Sequence, residues 1–362
     1  CDNKEEIQML DYLRGMDGLD YSDIHIREGK RMALRQAGTI VKTDRWVSGQ
    51  DIVGLMEDLG QGGLLDRLEA SGEVDFSMEL GETRFRGNLF MERSGIGLVL
   101  RRINSHIRSL EELGLPRIVA DFARMTSGLV LITGPTGSGK SSSLAGLVEY
   151  INLNFAKHII CIEDPIEYYH EDKRSIISQR EVGLDSASFE NALKYSLRQD
   201  PDVIVIGEVR DQETVKIAMR AAETGHLCFC TLHTLGAGAS VERLIDMFDP
   251  EDQSKVRSQL AMVLRGIVSQ QLIQTSEGRR LVVEVLLCDK STANILKEGK
   301  TDQLANYILT NRSRGMESMD ENLLALYDSK LIGLDSLLDH AIDQDYLMKK
   351  RGKAKEGYGL WG

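Results

Sequence analysis

The sequence predicts an α/β protein built around a parallel β-sheet that is covered by helices on both faces. From Gly128 onward, uninterrupted apolar segments such as GLVLIT and DVIVIG alternate with amphipathic helical segments. Strands that are apolar along their whole length are typical of a parallel sheet buried on both faces. A glycine-rich segment, GPTGSGKS, lies between the first of these strands and the helix after it. Before Gly128, short alternating segments predict a smaller α+β unit.

The length of the chain indicates more than one domain. At 362 residues it exceeds a typical single domain, so we expect two. We predict an α+β domain over residues 1–105, a linker over residues 106–116, and an α/β domain with a C-terminal helical segment over residues 117–362. The basic segment that begins at Lys349 is predicted to be a frayed, solvated tail.

Individual elements follow from the spacing of apolar residues. In the first domain, SDIHIREG, RMALRQAG and VDFSMELGETRFRGNLFM predict strands, and GQDIVGLMEDLGQGGLLDRLEASG predicts helix. In the second domain, GLVLIT, HIICIED, DVIVIG and HLCFCTL predict strands separated by helices. Beyond Ser254 an apolar stripe at helical spacing predicts mainly helix. The stripe consists of Val256, Leu260, Val263, Leu264, Ile267, Val268, Gln271 and Leu272.

Composition narrows the class of protein. The net charge is −12 and the isoelectric point is about 5.2, which excludes a global basic field for nucleic acid. The apolar runs fall far short of the ~18 residues that a membrane-spanning helix needs. No secretory signal pattern opens the chain, and the five cysteines, which include Cys1, form no disulfide framework. We therefore expect a cytoplasmic protein.

The segment from Gly134 to Ser141 matches the phosphate-loop pattern G-x-x-x-x-G-K-[ST], between a predicted strand and a predicted helix. Glycines let backbone N–H groups surround phosphate oxygens, and the helix N-terminus adds partial positive charge. Lys140 is expected to reach the β- and γ-phosphates of ATP, and the Ser141 hydroxyl to bind Mg²⁺. The predicted nucleotide-binding residues are Gly134, Pro135, Thr136, Gly137, Ser138, Gly139, Lys140, Ser141 and Ser142.

Polar side chains follow three further predicted strands. HIICI ends in Glu163 and Asp164, DVIVI is followed by Glu208, and HLCFCTL is followed by His233. Ligands of doubly wound sheets bind at the carboxyl ends of the strands, so these groups are expected beside the phosphate loop. We predict that Glu208 binds Mg²⁺, directly or through water, and that Glu163 orients or deprotonates the attacking water. These two assignments could be exchanged.

The segment HLCFCTLH combines histidines and cysteines without forming a metal site. Same-face residues of a strand stand ~6.6 Å apart, whereas zinc ligands must converge within ~2.3 Å of one ion. We therefore expect no structural zinc, and we interpret Cys228 and Cys230 as buried fillers. His233 is a candidate γ-phosphate sensor, and His226 at the other end of the strand is more consistent with a structural role.

Arginines are candidates for stabilising the charge that develops on a transferred phosphoryl group. Arg198 and Arg210 flank the strand that precedes Glu208. Others lie late in the first domain, and ordinary surface arginine is the alternative interpretation for any of them. The first-domain candidates for a secondary role are Arg84, Arg86 and Arg101.

The order of these motifs resembles the secretion-superfamily ATPases, and most of all the PilT-type retraction ATPases of type IV pili. In that resemblance GPTGSGKS is the Walker A loop and Glu208 an atypical Walker B residue. The segment from Glu163 and Asp164 to Glu167 is the Asp box, and His226 and His233 form the His box. SDIHI and RFRGNLF resemble the PAS-like N-terminal domain of the family, and GMESMDENLLALYDSKLI resembles its C-terminal helices.

The resemblance implies a RecA-like ATPase core in a cytoplasmic homohexamer that hydrolyses ATP with Mg²⁺ to power pilus retraction and twitching motility. It implies an inner-membrane pilus platform protein as partner, with the ring peripherally associated at the pilus base. Neither nucleic-acid binding nor membrane insertion is expected.

One segment departs from the family. STANILKE, Ser291 to Glu298, stands where retraction-type proteins have an AIRNLIRE-like segment, with Ala293 and Lys297 in the places of two arginines. An accessory retraction ATPase or a pilus assembly (extension) ATPase therefore remains an alternative. A DNA-translocating ring ATPase is disfavoured by the acidic pI, and a non-hydrolysing regulatory subunit by the retained Lys140, Ser141, Glu163 and Glu208.

Overall fold

The computed structural model describes residues 8–16, 19–36, 38–81, 83–103 and 106–358. The chain divides into two compact units, Cys1–His106 and Ile107–Gly362, which are treated separately below. Cys1 and the last four residues of the predicted tail, 359–362, lie outside the described residues. The assignment of residues 106–116 as a linker stays a prediction.

The first unit is a six-stranded antiparallel sheet with helices, and its strands are ordered β3-β2-β1-β6-β5-β4. All the strands and helices predicted for this unit are confirmed. The elements are α1 (Met9–Arg14), β1 (Asp23–Arg27), β2 (Arg31–Gln36), β3 (Thr39–Trp46), α2 (Gly49–Asp58), α3 (Gly63–Ser71), β4 (Glu73–Leu80), β5 (Thr83–Glu92) and β6 (Gly95–Ile103).

Strict alternation of buried and partly exposed residues explains the sheet of the first unit. Along β5, Phe85 and Leu89 are fully buried, while Arg84 and Arg86 on the alternate positions are partly exposed. Gly87 lies in the same buried row, where a Cβ would collide with the ring of Phe76 on β4. Helix α2 begins at a capping box in which Ser48 and Asp51 bond each other's backbone N–H groups. One sheet face is therefore committed to the core.

The second unit is a seven-stranded sheet with the order β13-β12-β7-β11-β10-β8-β9. The five strands from β7 to β9 in this order run parallel, β12 pairs with β7 in parallel, and β13 pairs with β12 in antiparallel. The elements up to the last of the parallel strands are α4 (Arg117–Phe122), β7 (Gly128–Thr133), α5 (Lys140–Asn154), β8 (His158–Glu163), β9 (Ile176–Glu181), α6 (Phe189–Ser196), β10 (Val203–Ile206), α7 (Gln212–Glu223), β11 (Leu227–Leu232), α8 (Ala237–Asp246), α9 (Pro250–Val263) and β12 (Leu264–Thr275).

The parallel sheet predicted from uninterrupted apolar strands is confirmed. The burial of its strands on both faces explains why their sequences are apolar throughout. Along β7, Leu129 and Leu131 pack into one hydrophobic core, and Val130 and Ile132 pack into another on the opposite face. Both faces are covered, so every position of the strand must be apolar. The carboxyl ends of β7, β8, β10 and β11 consequently lie along one edge.

The prediction of mainly helix beyond Ser254 is wrong for residues 264–287. Helix α9 ends at Val263, and the chain continues as the hairpin of β12 and β13 (Gly278–Leu287), which turns at Gly278 with φ +107°. Strand β12 is buried on both faces, and a continuous apolar run has no period that separates strand from helix. Strand β9 was not predicted, because it is mostly half-exposed and rich in polar residues.

The C-terminal part of the second unit is helical, and the second and third of its helices contact β13. The helices are α10 (Lys290–Lys297), α11 (Gln303–Thr310), α12 (Met319–Asp328), α13 (Leu334–Asp339) and α14 (Gln344–Tyr358). The predicted fraying of the basic segment from Lys349 is wrong as far as Tyr358, because α14 continues to that residue. Solvation of this segment stays a prediction. Within the described ranges, none of the helices is both long and apolar enough to cross a membrane.

Candidate nucleotide site

The phosphate loop joins β7 to the amino end of α5. Gly139 precedes the helix with φ +89°, a conformation that favours glycine. The Lys140 ammonium is buried and donates hydrogen bonds to the carbonyl oxygens of Gly134 and Pro135, at 2.8 and 3.0 Å. Burial lowers the pKa of Lys140, and the nearby carboxylates of Glu208 and Glu167 oppose that shift. The loop thus presents a partly desolvated cation to an incoming anion.

Strand β12 supports this loop from beneath. The Gln270 side-chain amide donates to the carbonyl oxygen of Ser138 at 2.8 Å, and both residues are buried. A Cβ on Gly134 would collide with the backbone oxygen of Gln270, so glycine is required for the loop to approach this strand. Sequence reasoning missed Gln270, because it placed this residue within a helix.

Two side chains contact the Glu208 carboxylate, which follows β10. His233 Nε2 lies 3.2 Å from one carboxylate oxygen of Glu208, and the Arg210 guanidinium lies 2.7 Å from the other. Arg210 also donates to Asp164 at 3.2 Å. The hydrogen bond from Arg210 lowers the pKa of Glu208, burial opposes this, and the charge of Arg210 adds to it. Glu208 is therefore a carboxylate held firmly in its charged form.

His233 links this cluster to the phosphate loop. Its Nδ1 lies 3.4 Å from the hydroxyl of Thr136, while its Nε2 faces Glu208. A carboxylate can only accept, so Nε2 must carry the proton, and in the neutral ring Nδ1 accepts from Thr136. One imidazole therefore connects the phosphate loop with the Glu208 carboxylate.

Glu163, at the end of β8, lies in a different environment. Its carboxylate accepts from the Gln179 amide at 3.2 Å and from the backbone N–H of Glu167. Burial raises the pKa of Glu163 to about 7, an effect that the two hydrogen bonds only partly offset and that the charges of Glu167 and Glu181 reinforce. Sequence reasoning missed Gln179, since β9 carried no recognised strand signal.

Two predicted residues lie away from this edge within the chain. Arg198 precedes β10, at the opposite end of the strand from Glu208, where its guanidinium stacks over Tyr195 at 5.8 Å. His226 precedes β11, and its Nδ1 lies 3.0 Å from the carbonyl oxygen of Ala221. The structure therefore does not bring Arg198 or His226 to the phosphate loop of their own subunit, because they occupy the amino ends of these strands.

The predicted arginines of the first unit are each paired with an acid of the same sheet. Arg84 lies 2.7 Å from Glu79, and Arg86 lies 3.9 Å from Asp75. Arg101 lies 2.8 Å from the buried Asp23, and its guanidinium remains largely exposed. Each of these arginines therefore has an acidic partner within the first unit.

The cysteines of β11 belong to the core. Cys228 and Cys230 are fully buried, and burial raises the pKa of Cys228 to about 12. Neutral thiols of this kind pack as small apolar side chains, which confirms their interpretation as fillers. Across the described ranges, no group of three or more His, Cys, Asp or Glu side chains is arranged to hold a metal ion.

The parallel sheet, the phosphate loop and the acidic strand ends together define the class of protein: a P-loop ATPase. The chain belongs to the Type II/IV secretion system protein family, whose model matches residues 66–276. It is a nucleotide-binding ATPase of that family, and the predicted fold class is confirmed.

Individual relatives are similar over most of the chain. The type IV pilus retraction ATPase PilT of Pseudomonas aeruginosa is 38% identical over 323 residues, which cover 88% of this chain and 94% of that protein. The type IV pilus ATPase PilU of the same organism is 45% identical over 272 residues, covering 74% and 71%. A crystal structure of the pilus retraction motor PilT with bound ADP superimposes with a TM-score of 0.88 at 39% identity, covering 95% of this chain and all of that one.

Proposed function

We propose that the chain is the ATP-hydrolysing motor subunit that powers type IV pilus retraction and thereby twitching motility. One observation carries the proposal: a charged carboxylate, Glu208, and a proton-accepting one, Glu163, lie at the same sheet edge as the phosphate loop. The names of the relatives support the part of the proposal that concerns pili. The two carboxylates beside the phosphate loop support the part that concerns ATP hydrolysis.

In the proposed reaction, water attacks the γ-phosphorus of ATP. A bond forms between the water oxygen and phosphorus, the bond from phosphorus to the β–γ bridging oxygen breaks, and Glu163 takes the proton. A carboxylate whose pKa is about 7 is half in its basic form at neutral pH and suits this role. In the proposal, the cationic side chains of Lys140 and Arg210 stabilise the negative charge that develops during the transfer.

The donor set also fits Mg²⁺. Ser141, in the first turn of α5, would supply a hydroxyl, and Glu208 would supply a carboxylate, directly or through water. Mg²⁺ binds few protein ligands and takes the rest from phosphate oxygens and water, so these two groups suffice. When bound, the ion neutralises phosphate charge during transfer.

The wider assembly follows from the family resemblance. We propose a cytoplasmic homohexamer that associates peripherally with the inner face of the membrane at the pilus base. Its proposed partner is an inner-membrane platform protein, and neither nucleic-acid binding nor membrane insertion forms part of the proposal. The predicted PAS-like character of the first unit and secondary nucleotide contacts from Arg84, Arg86 and Arg101 belong to the same proposal.

A second candidate function is an accessory retraction or pilus assembly ATPase. The observation that favours it is the departure at Ser291 to Glu298. All of this segment except Glu298 lies in α10, where Ala293 is half-buried and Lys297 is exposed. The similarity to PilU is of the same order as that to PilT. Hydrolysis is common to both candidates, and the direction of force separates them.

The hydrolytic part is tested with purified protein. We expect Glu163→Gln to reduce ATP turnover by about 10³-fold while ADP binding is retained. Lys140→Ala should lose both turnover and binding, and serves as the reference for a damaged phosphate loop. Unchanged turnover in Glu163→Gln would remove Glu163 from its proposed role.

The direction of force is tested genetically. Deletion of the gene should leave an excess of surface pili and abolish twitching if the motor retracts. Absence of pili would indicate an assembly ATPase. Normal pili with weakened retraction under load would indicate an accessory motor.

A further inference from the structure

The half-buried side chain of Gln179 on β9 makes three hydrogen bonds to the neighbouring strand and loop. Its amide nitrogen donates to the Glu163 carboxylate at 3.2 Å and to the carbonyl oxygen of Tyr168 at 2.8 Å. Its amide oxygen accepts from the backbone N–H of His170 at 2.9 Å. One side chain thus connects a candidate catalytic carboxylate with the loop that follows it.

We propose that Gln179 is a positioning residue for ATP hydrolysis, which holds the Glu163 carboxylate and the loop of residues 164–175 in the arrangement used to activate water. The inference rests on the role proposed above for Glu163. Gln179 does not contact the reacting atoms in this proposal; it acts through Glu163.

The register between β8 and β9 places Gln179 beside Glu163. Strands β8 and β9 are parallel, with Cys161 opposite Gln179 and Glu163 opposite Glu181. Side chains two residues apart on a strand share a face, so Gln179 points to the same side as Glu163. Glu181, next on that face, accepts from the backbone N–H of Ile166 at 3.1 Å. Two successive side chains of β9 therefore support the segment that begins at Glu163.

The same loop is also held from α5, independently of Gln179. Ser142 and Tyr168 share a hydrogen bond of 2.7 Å. Asn152 donates to the carbonyl oxygen of Glu171 at 2.8 Å and accepts from the backbone N–H of Lys173 at 3.0 Å. Because these contacts remain when Gln179 is replaced, the loop keeps several anchors. The main consequence of a replacement is then expected at Glu163 itself.

The charges around Glu163 give the direction of that consequence. Glu167 from the following loop and Glu181 from β9 face it as like charges, and Cys161 faces it from its own strand. The hydrogen bonds from Gln179 and from the backbone of Glu167 both favour the carboxylate form. Burial and the neighbouring negative charges raise the pKa of Glu163, and the hydrogen bond from Gln179 lowers it. Removing that donor should therefore raise the pKa of Glu163 further, so that it keeps its proton to higher pH.

The test is the pH dependence of kcat for Gln179→Leu in the full-length protein. We expect the acidic limb to move upward by about one pH unit, so that turnover falls about fivefold at pH 7, approaches a tenfold loss at lower pH, and recovers in alkaline buffer. The KM for ATP should stay within about twofold, because Gln179 is absent from the phosphate loop. Gln179→Glu keeps an acceptor for the His170 N–H and adds a like charge, so its limb should move further.

Gln271→Leu is the matched control, because the Gln271 amide donates to a backbone carbonyl, that of His340, at 2.9 Å and away from Glu163. It should leave the pH profile in place even where it lowers stability. If Gln179→Leu lowers kcat by the same factor at every pH, or only lowers stability as Gln271→Leu does, the positioning role is overturned. An inactive Glu163→Gln beside an unshifted Gln179→Leu refutes this inference alone, whereas an active Glu163→Gln refutes the proposed function.

Discussion

Glu163 and Glu208 lie at the carboxyl ends of two neighbouring strands of one sheet, yet their surroundings shift their pKa values in opposite directions. Glu163 is surrounded by neutral hydrogen-bond donors and by other carboxylates, and burial raises its pKa to about 7. Glu208 is bonded by Arg210 and His233, and the hydrogen bond from Arg210 lowers its pKa. Neighbouring acids with divergent pKa values are a recurrent arrangement for separating a proton acceptor from a permanent charge.

The difference between the two sites lies in their partners. The side chain nearest to Glu163 is an amide, and those nearest to Glu208 are a guanidinium and an imidazole. An amide orients a carboxylate without neutralising it, whereas a guanidinium stabilises its charge directly. This contrast favours Glu163 as the proposed base and Glu208 as the proposed metal-side residue.

The largest effect that separates the two acids should come from Glu208→Gln. We expect ATP turnover to fall by about 10³-fold, together with loss of the increase in ATP affinity that Mg²⁺ confers on the wild type. Glu163→Gln should keep that increase. Nucleotide titrations with and without Mg²⁺ measure it. Equal Mg²⁺ responses in the two variants would show that the roles are exchanged or shared.

Arg210→Ala should have the next largest effect, a loss of about 10²-fold in kcat. It removes the guanidinium that holds both Glu208 and Asp164. Arg220→Ala, on the exposed last turn of α7, is the control and should change kcat by less than about twofold. Steady-state turnover measures both variants. Wild-type activity in Arg210→Ala would exclude the guanidinium from the reaction.

The wild-type pH profile should follow Glu163 rather than Glu208. The proposed base is active when deprotonated, so kcat should fall about tenfold per pH unit below a midpoint near 7. Because the pKa of Glu208 is lowered, this residue stays charged over the same range. Turnover measured at several pH values and saturating ATP gives the midpoint. A midpoint near that of an ordinary carboxyl group would contradict the assignment.

His233→Ala should lower kcat by about tenfold, since it removes the link between Thr136 and Glu208. His226→Ala, at the other edge of the sheet, is the matched control and should change kcat by less than about twofold. Pilus retraction by strains that carry each variant extends the test to the motor. A His233→Ala protein with normal turnover and normal retraction would end the sensor hypothesis.

The smallest expected effect is on stability, and its sign differs between the two acids. The pKa of Glu163 rises from 4.5 in the unfolded chain to about 7, so the folded state binds more protons between these values. Its contribution to the free energy of unfolding therefore falls as pH rises through that range, and Glu163→Gln should stabilise the protein by about 3 kcal/mol above pH ~7.

For Glu208 the pKa is lowered, so its contribution is present above the unfolded-state pKa and is lost as pH falls through the lower, folded-state value. The Arg210 side chain is 55% exposed, which limits this contribution through solvent screening. Glu208→Gln should thus destabilise by less than about 1 kcal/mol. Urea unfolding of both variants at one protein concentration checks the opposite signs.

Sequence reasoning reached the residues whose signal is local. The phosphate loop, Glu163, Glu208 and His233 each follow an apolar strand, and a parallel sheet brings such strand ends together. Sequence reasoning did not identify Gln179 and Gln270, because each acts through a hydrogen-bond partner that is distant along the chain. These partners are Glu163 and Ser138. The two strands between Leu264 and Leu287 were not predicted, because an apolar run that is buried on both faces is consistent with either a helix or a strand.

The sequence by itself was enough to predict a nucleotide site at one sheet edge with two acids nearby, since motif and strand pattern are properties of short segments. It left the two acids interchangeable, because both follow similar apolar strands. Only the tertiary structure separated them, by burying one carboxylate beside an amide and pairing the other with Arg210 and His233. A pKa depends on desolvation and on charges within a few ångströms, and those are fixed by how distant segments pack.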